Sequence, residues 1–244
     1  MSISDEILRL QTAKSDLATS IANKGVTVPA SATLDDYAAL VDSIQTGGGG
    51  SSLPYDAEVE YLQSDGAQYI NTGVVLTKSY TIIIDCAVIS AVSSYPTVLG
   101  ALNSSNYSCP LVYNNSGHPY VQVGGSNSYV YLYTSNYFGS NIIHYVCSGD
   151  GTYQYLSNGR KTVSKSYSGS LSTLPMYLFA RNYNDNVANY TVAKIGRVYI
   201  KIGSVLQRDY IPVRVGQVGY MYDRVSKQLF SNDGTGNFTL GPDI

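Results

Sequence analysis

The stretch Ala193–Val213 (AKIGRVYIKIGSVLQRDYIPV) indicates the fold class of this chain most clearly. Within it, Ala193–Lys201 and Val205–Tyr210 are rich in β-branched and aromatic residues, with apolar and polar positions alternating. Because successive side chains of a strand point to opposite faces, this alternation is typical of half-buried β-strands. The stretch therefore predicts two consecutive strands.

The same pattern recurs on both sides of this stretch. Tyr80–Ile89 is an almost continuous apolar run, which is typical of a buried strand. Thr152–Val163 predicts a hairpin, because Asn158-Gly159 supplies the two positive φ angles of a tight turn. The remaining predicted strands are Ala57–Leu62, Gln68–Gly73, Val98–Ala101, Tyr120–Val123, Tyr129–Tyr133, Ile142–Cys147, Met176–Ala180, Val218–Tyr222 and Gln228–Phe230. A polar loop is expected at Asn103–Asn106. Short strands at this spacing predict an antiparallel β-sandwich.

A glycine run separates this β-rich part from a helical beginning. Gly47–Ser52 (GGGGSS) offers no side chain that could be buried and carries a large entropic cost of ordering, which predicts a flexible linker. We therefore expect a helical attachment or oligomerisation module at residues 1–46, a linker at 47–54 and a mainly β domain at 55–244.

Two helices are predicted before the linker. The first carries apolar residues at the alternating steps of four and three that a coiled-coil seam uses, with Lys14 at the one position that is not apolar: Ile3, Ile7, Leu10, Leu17 and Ile21. Gly25 stands at a C-cap position. Thr33 and Asp36 resemble a capping box that opens a second helix, which has an apolar stripe at Leu34, Tyr37, Ala38, Val41 and Ile44. So short a module either folds back as a hairpin or associates with copies of itself, with a trimer favoured, or with another protein.

Charge and hydropathy exclude several partners. The formal net charge is −2, and 13% of the residues are charged, so nucleic acid is not expected as a partner. No apolar run reaches the length of about 18 residues that a spanning helix needs, so membrane insertion is not expected. The acidic start MSISDE does not resemble a secretory signal, which predicts a protein made and kept in a cytoplasm.

The sequence lacks the common catalytic patterns. Cys86, Cys109 and Cys147 are an odd number at unrelated spacings, which predicts small buried residues and no disulfide framework. His118 and His144 have no cysteine or acid at metal-ligand spacing. No nucleophile motif is present. We therefore expect a protein that is not an enzyme and holds no cofactor.

Tyrosine is the unusual residue, with 24 copies against 4 Phe and no Trp. Tyr129, Tyr131 and Tyr133 alternate with Val130 and Leu132, so they are expected on one face of a strand. Tyr107 and Tyr113 are expected in or beside neighbouring loops. Such a platform could hold a ligand by ring stacking and hydroxyl hydrogen bonds, or it could pack against the sandwich or another subunit.

Two polar clusters invite further interpretations. Asp56, Glu58 and Glu60 are spaced by two, so their carboxylates are expected on one face of a strand, as the paired acids of glycosidases are. The alternative is that these charges protect an edge strand from pairing with another strand.

The run Asn182, Asn184, Asp185 and Asn186 resembles a Ca²⁺ loop, although it has one carboxylate and Asn is common in turns. These four residues are weak candidates for Ca²⁺.

Two parts of the chain resemble known families. The segment Thr12–Ile44 (TAKSDLATSIANKGVTVPASATLDDYAALVDSI) resembles an N-terminal segment of tail and other virion proteins of tailed bacteriophages. The rest resembles concanavalin-like, laminin-G-type jelly rolls; the stretches that carry this second likeness are Val59–Gly73 (VEYLQSDGAQYINTG), Leu178–Asn182 (LFARN), Ala193–Val213 and Gly219–Pro242 (GYMYDRVSKQLFSNDGTGNFTLGP).

These resemblances imply a function as well as a fold. The first implies virion attachment or assembly, and the second implies two antiparallel sheets with carbohydrate or surface recognition. Together they predict a non-enzymatic phage structural protein, such as a tail fibre, head fibre or receptor-binding protein, that recognises a host-surface glycan. A purely structural capsid-decorating or adaptor protein is the alternative, and a polysaccharide hydrolase is a further one.

Overall fold

The structure is a computed structural model that describes residues 2–22, 26–29, 31–42 and 53–244. The described residues form two helices and nineteen strands. The helices are α1 (Ile3–Ala22) and α2 (Asp36–Asp42). The strands are β1 (Ala57–Glu58), β2 (Leu62–Asp65), β3 (Ile70–Val75), β4 (Ser79–Ala91), β5 (Thr97–Asn103), β6 (Asn106–Tyr113), β7 (Pro119–Gly124), β8 (Tyr129–Tyr131), β9 (Ile143–Asp150), β10 (Tyr153–Ser157), β11 (Thr162–Ser166), β12 (Pro175–Leu178), β13 (Arg181–Tyr183), β14 (Asn186–Ala188), β15 (Thr191–Ile202), β16 (Val205–Val215), β17 (Val218–Asp223), β18 (Gln228–Phe230) and β19 (Thr239–Leu240).

The chain divides into two compact units, Met1–Leu53 and Pro54–Ile244. The first contains α1 and α2, and the second contains all the described strands. Most of the predicted linker, together with Gly25 and Ile44, lies outside the described residues.

Both helices begin with a local cap. Ser2 N–H donates to Asp5 Oδ2 (2.9 Å), and Asp5 N–H donates back to Ser2 Oγ (3.1 Å). At α2, the backbone N–H and the hydroxyl of Thr33 both donate to Asp36 Oδ2, at 2.7 and 2.8 Å. These bonds satisfy donors that a helix start leaves unpaired. Half of the predicted capping box is present, because the Asp36 side chain accepts from the Thr33 backbone, whereas the Asp36 N–H donates to the Thr33 carbonyl and not to its hydroxyl.

Most of the predicted apolar seam of the helical unit is exposed. Ile21 is buried, whereas most of the other described members are exposed: Ile3, Ile7, Leu10, Leu17, Leu34 and Val41. Tyr37, also a member of the predicted stripe, is buried, and so is Ala32. No helix among the described residues is long and apolar enough to cross a membrane.

The second unit is mainly β and consists of two sheets that form a sandwich. The larger sheet has the strand order β11-β10-β9-β4-β15-β16-β17-β18, with β1, β2 and β19 attached. The smaller sheet has the order β14-β13-β5-β6-β7-β8, with β12 and β3 attached. The pairs are antiparallel except for β13 with β5, which is parallel. The two predicted strands of Ala193–Val213 are confirmed as neighbours, β15 and β16.

The apolar core lies between the sheets. Strand alternation directs Ile82 and Ile84 of β4 and Ile200 of β15 into it from the larger sheet, and Val121 and Val123 of β7 from the smaller one. Burying these side chains against each other is the main stabilising contribution in such a sandwich. The prediction for the cysteines is also confirmed, since Cys86, Cys109 and Cys147 are free and buried.

One strand, β6, was not predicted from the sequence. The predicted polar loop at Asn103–Asn106 is a tight hairpin turn that leads into this strand, because Asn103 pairs with Asn106. Tyr107 and Tyr113, which were expected in or beside loops, lie at the two ends of β6, next to this turn and to the loop that follows the strand. Pro110 obscures this strand in the sequence, since proline is rare inside sheets; the pairing of β6 with β7 shifts register between Cys109 and Val112, where an irregularity accommodates it.

Gln154 ties the two sheets together. This fully buried side chain on β10 of the larger sheet accepts a hydrogen bond from Val123 N–H (2.9 Å). Its amide nitrogen donates to the carbonyls of Val123 (3.1 Å) and Ser128 (2.7 Å). The amide thus satisfies backbone groups at the end of β7 and just before β8, which fixes these two strands against the opposite sheet.

We expect Gln154→Ala to lower the free energy of unfolding by about 2–4 kcal/mol, because it leaves buried backbone groups of Val123 and Ser128 without partners. Urea unfolding followed by circular dichroism measures this. Gln228→Ala, at an exposed position of β18, is the matched control. A loss at Gln154 no larger than at Gln228 would contradict this role.

Candidate functional site

A tyrosine-lined pocket lies on the outer face of the smaller sheet. On β7 and β8, Val121, Val123 and Val130 point into the core, so alternation turns the intervening residues outward. These outward residues are Tyr120, Gln122, Tyr129 and Tyr131.

Strand register brings the outward tyrosines together. Tyr120 pairs with Tyr131, and Gln122 pairs with Tyr129, across β7 and β8. The Tyr120 and Tyr131 ring centroids are 5.1 Å apart, and Tyr129 lies 6.3 Å from Tyr120 and 5.7 Å from Tyr131. Rings at these distances and tilts form a connected aromatic surface.

The pocket has a volume of about 320 Å³. Its lining consists of Tyr95, Leu102, Tyr107, Tyr120, Gln122, Ser126, Tyr129, Tyr131 and Arg181. The walls thus combine aromatic rings with hydroxyl, amide and guanidinium groups. A concave apolar surface with a few oriented polar groups is the usual form of a small-ligand site.

Next to the pocket residues, β5 and β6 approach each other closely at Gly100. A side-chain carbon added there would lie 2.8 Å from Cys109 Sγ and 2.9 Å from Thr97 Cγ2, so only glycine fits. Gly100 is also the residue that Arg181 pairs with in the parallel β13–β5 ladder. This pairing places the guanidinium beside the tyrosines.

Burial keeps two ionisable groups at the pocket, the Cys109 thiol and the Tyr120 hydroxyl, in their neutral forms. The Cys109 thiol is buried, which raises its pKa, although the nearby Arg181 charge opposes this effect. Burial likewise raises the pKa of Tyr120, with Cys109 contributing and Arg181 opposing. At neutral pH both groups are therefore protonated and bring no negative charge to the pocket.

The structure brings together three of the five tyrosines predicted as a ligand platform. Tyr107, Tyr129 and Tyr131 line the pocket. Tyr113 does not, because it is fully buried in the core, where its hydroxyl lies 2.7 Å from that of Tyr145. The inward position of Tyr113 follows from the register shift of β6.

Tyr133 also lies away from the pocket. Strand β8 ends at Tyr131, so the alternation that predicted Tyr133 beside Tyr131 stops before reaching it. Tyr133 instead packs against the core and stacks on Tyr137, with ring centroids 4.4 Å apart, and Lys161 Nζ lies 5.0 Å above its ring.

Sequence reasoning did not assign Gln122 or Arg181 to the site. Gln122 belongs to a predicted strand, and its outward direction could have been read from the alternation with Val121 and Val123. Arg181 reaches the pocket through a parallel strand pairing between segments about eighty residues apart. No local pattern reports such a pairing.

The Ca²⁺ candidates form a β-hairpin, with Asn182 on β13 and Asn186 on β14. Asn184 and Asp185 have φ angles of 51° and 64°, which are the positive angles of its tight turn. Asn182 is buried and bonds Pro175 O and Asp185 N–H, while Asn184 Oδ1 accepts from Ser104 N–H. Their amides thus serve the turn, and the described residues hold no group of three or more acids, histidines or cysteines suited to a metal ion.

The acids that resemble a glycosidase pair, Asp56, Glu58 and Glu60, lie in and beside β1 of the larger sheet, away from the tyrosine-lined pocket. Glu58 and Glu60 line a second hollow together with Asp85 and Arg197. Asp56 accepts a hydrogen bond from Gly216 N–H (2.6 Å), and Glu58 accepts one from Tyr55 (3.0 Å).

His144 has an acidic partner that the sequence spacing did not indicate. Its Nδ1 lies 2.6 Å from Asp85 Oδ1. The two residues are cross-strand partners on β4 and β9, and this pair is not part of any group of three or more potential metal ligands among the described residues.

The fold defines an antiparallel β-sandwich protein, and the comparisons agree with this class. A proposed carbohydrate-binding protein from Bacteroides ovatus ATCC 8483 has a similar fold, with a TM-score of 0.52 and 13% sequence identity over 77% of this chain. The chain covers 62% of that protein's length. At this identity the likeness shows the fold alone.

A second solved structure is more distant. Tailspike protein 2 of the Escherichia coli O157:H7 bacteriophage CAB120 aligns with a TM-score of 0.30 and 12% identity, over 65% of this chain and 27% of the tailspike. This likeness is too weak to support an argument. No protein-family model and no curated protein matches the sequence.

We expect the stability to fall as the pH rises above about 10, because burial, assisted by neighbouring cysteines and Tyr145, raises the pKa of Tyr113 well above its ordinary value. The unfolded chain then releases a proton that the folded chain retains. Tyr113→Phe removes this difference, so the decline should become shallower by about 1.4 kcal/mol per pH unit. Urea unfolding at several alkaline pH values measures the slope of the unfolding free energy against pH for the unchanged protein and for Tyr113→Phe. Equal slopes would contradict a raised pKa at Tyr113.

Proposed function

We propose that this protein recognises a glycan through the tyrosine-lined pocket, and that it does so without a catalytic step. The observation that carries the proposal is the cluster of Tyr120, Tyr129 and Tyr131 on the outer face of the smaller sheet. Sugar rings present apolar C–H faces and polar edges. Aromatic faces with neighbouring hydroxyl, amide and guanidinium groups complement both.

Three further observations agree with a glycan as the ligand. Most of the pocket lining lies on strands, which lowers the ordering cost of binding. A proposed carbohydrate-binding protein has a similar fold. The sequence also resembles jelly rolls for which carbohydrate recognition is an implied role.

We expect Tyr129→Ala and Tyr131→Ala each to weaken glycan binding about tenfold, because each removes a ring from the central aromatic surface. Binding of the full chain to an array of bacterial surface polysaccharides, followed by calorimetry with the strongest binder, measures this. Tyr153→Ala is the matched control, since Tyr153 lies on the larger sheet and is 45% exposed, against 44% for Tyr129.

The array also separates the alternatives. Unchanged binding in both pocket variants would remove these residues from the site. Binding to no glycan at all would favour a purely structural role as a capsid-decorating or adaptor protein. A polysaccharide that is bound and shortened, with the cleavage stopped by Glu58→Gln, would indicate a hydrolase instead.

We place this activity in a tailed-bacteriophage virion, on a tail fibre, a head fibre or a related receptor-binding structure. The support is the resemblance of Thr12–Ile44 to virion proteins, together with a sandwich suited to surface recognition. In this proposal the host cytoplasm is the site of synthesis and the virion is the final location.

The helical unit would supply attachment and oligomerisation. Its exposed apolar residues, including Ile3, Ile7 and Leu10, follow the spacing of a coiled-coil seam. We propose a homotrimer formed along this seam. Three pockets on one particle would raise the apparent affinity for a repeating polysaccharide well above that of a single site.

For the full chain of 26.3 kDa we expect light scattering to give three times this mass, and a chain beginning at Pro54 to give a monomer. Ile7→Ser should reduce the trimer, because it removes an apolar seam residue. Leu8→Ser is the matched control, since Leu8 is equally apolar and exposed but lies outside the seam. Monomers for both chains would instead indicate that the helices dock onto another virion protein.

A further inference from the structure

Arg181 is a buried charge whose side-chain hydrogen-bonding partners, the Asn189 amide and the Cys109 thiol, are neutral groups. The residue is 7% exposed and lines the tyrosine pocket. Its Nη2 donates to Asn189 Oδ1, a neutral amide. Its Nε has no hydrogen-bond partner. Within the described part of the chain, no carboxylate lies within ion-pair distance of this guanidinium.

The arginines of the larger sheet differ from Arg181. Arg208, Arg214 and Arg224 each have a carboxylate oxygen within 4.0 Å. Arg208 is itself largely buried and lies 3.7 Å from Asp223 Oδ2. Arg208, the most enclosed of these three, is therefore accompanied by negative charge, whereas the more deeply buried Arg181 is not.

The surroundings of Arg181 do not supply the missing charge. The pocket lining contains no Asp or Glu. The adjacent Cys109 thiol and Tyr120 hydroxyl stay protonated at neutral pH, because burial raises the pKa of both. A buried cation without a counter-charge is unfavourable, and an anion entering the pocket would relieve this cost.

We propose that the pocket takes an acidic sugar, with Arg181 binding its anionic group and the tyrosine rings packing against the sugar ring. This inference rests on the proposed glycan-binding function and specifies its ligand class. A guanidinium presents a planar set of donors that matches both carboxylate and phosphate oxygens. Uronic acids and phosphorylated sugars share this chemistry, and a carboxylate in a glycan chain fits the site in the same way as a phosphate ester.

The test uses the full chain on an array that contains neutral, uronic-acid and phosphorylated bacterial polysaccharides. We expect the bound glycans to be acidic. Carboxyl reduction of a bound uronic-acid polysaccharide, or enzymatic removal of phosphate from a bound phosphorylated one, should weaken binding about tenfold or more. The treatment that weakens binding identifies which anionic group is recognised.

Two variants test whether Arg181 causes the preference for acidic glycans. Arg181→Met keeps much of the side-chain volume and should remove the preference for acidic over reduced glycan. Arg160→Met makes the same change in net charge at an exposed position of the β10–β11 turn and should leave the preference intact. Thermal unfolding verifies that both variants are folded. If Arg181→Met fails to fold, Arg181→Lys replaces it, and a reduced preference is expected because the planar set of donors is lost.

The outcomes separate this inference from the proposed function. Equal binding of neutral and acidic glycans, unchanged in the Arg181 variant, would overturn the inference and leave glycan recognition standing. If Arg160→Met removes the preference for acidic glycans as fully as Arg181→Met does, the preference arises from the net charge of the protein. That result would overturn the role of Arg181. Binding to no glycan would overturn both.

Discussion

The alternation of side chains along strands between two packed sheets is the constraint on which the β unit depends. Every residue that points into the core places its neighbours on an outer face. Val121 and Val123 of β7 fill the interior, so Tyr120 and Gln122 must face outward. A shift of one residue would bury the polar set and expose the apolar one. The same packing that stabilises the sandwich therefore fixes the composition of the pocket.

Alternation alone does not build the pocket, because three longer-range contacts give it a defined shape. Gln154 crosses from the larger sheet and bonds the backbone of Val123 and Ser128, which lie beside pocket residues. Gly100 allows β5 to approach Cys109 closely. The parallel pairing of Arg181 with Gly100 then adds the single charge of the lining. Rigid strands hold these groups, which favours binding without a large ordering cost.

The two units carry different kinds of surface. The helical unit exposes apolar residues such as Ile7 and Leu10 at regular spacing, which suits association with other helices. The β unit exposes a polar and aromatic pocket, which suits a small polar ligand. Under the proposed function these surfaces cooperate, since association of the first would multiply the second. The physical basis is local concentration, because linked sites rebind a repeating ligand before it diffuses away.

The sequence by itself determined the elements that depend on local chemistry. Period-two alternation predicted β15 and β16, and Thr33 with Asp36 predicted the start of α2. Asn158-Gly159 predicted the β10–β11 hairpin but not its turn, because only Gly159 takes a positive φ and residues 158–161 separate the paired Ser157 and Thr162. The sequence also placed Tyr129 and Tyr131 on one face. Only the tertiary structure decided that Tyr113 is a core residue, that Tyr133 leaves the strand and that Arg181 joins the tyrosines. The three outcomes depend, in that order, on a register shift, on the end of a strand and on a pairing between distant segments. Contacts between residues far apart in the sequence stabilise these features, and a local sequence pattern does not contain such contacts.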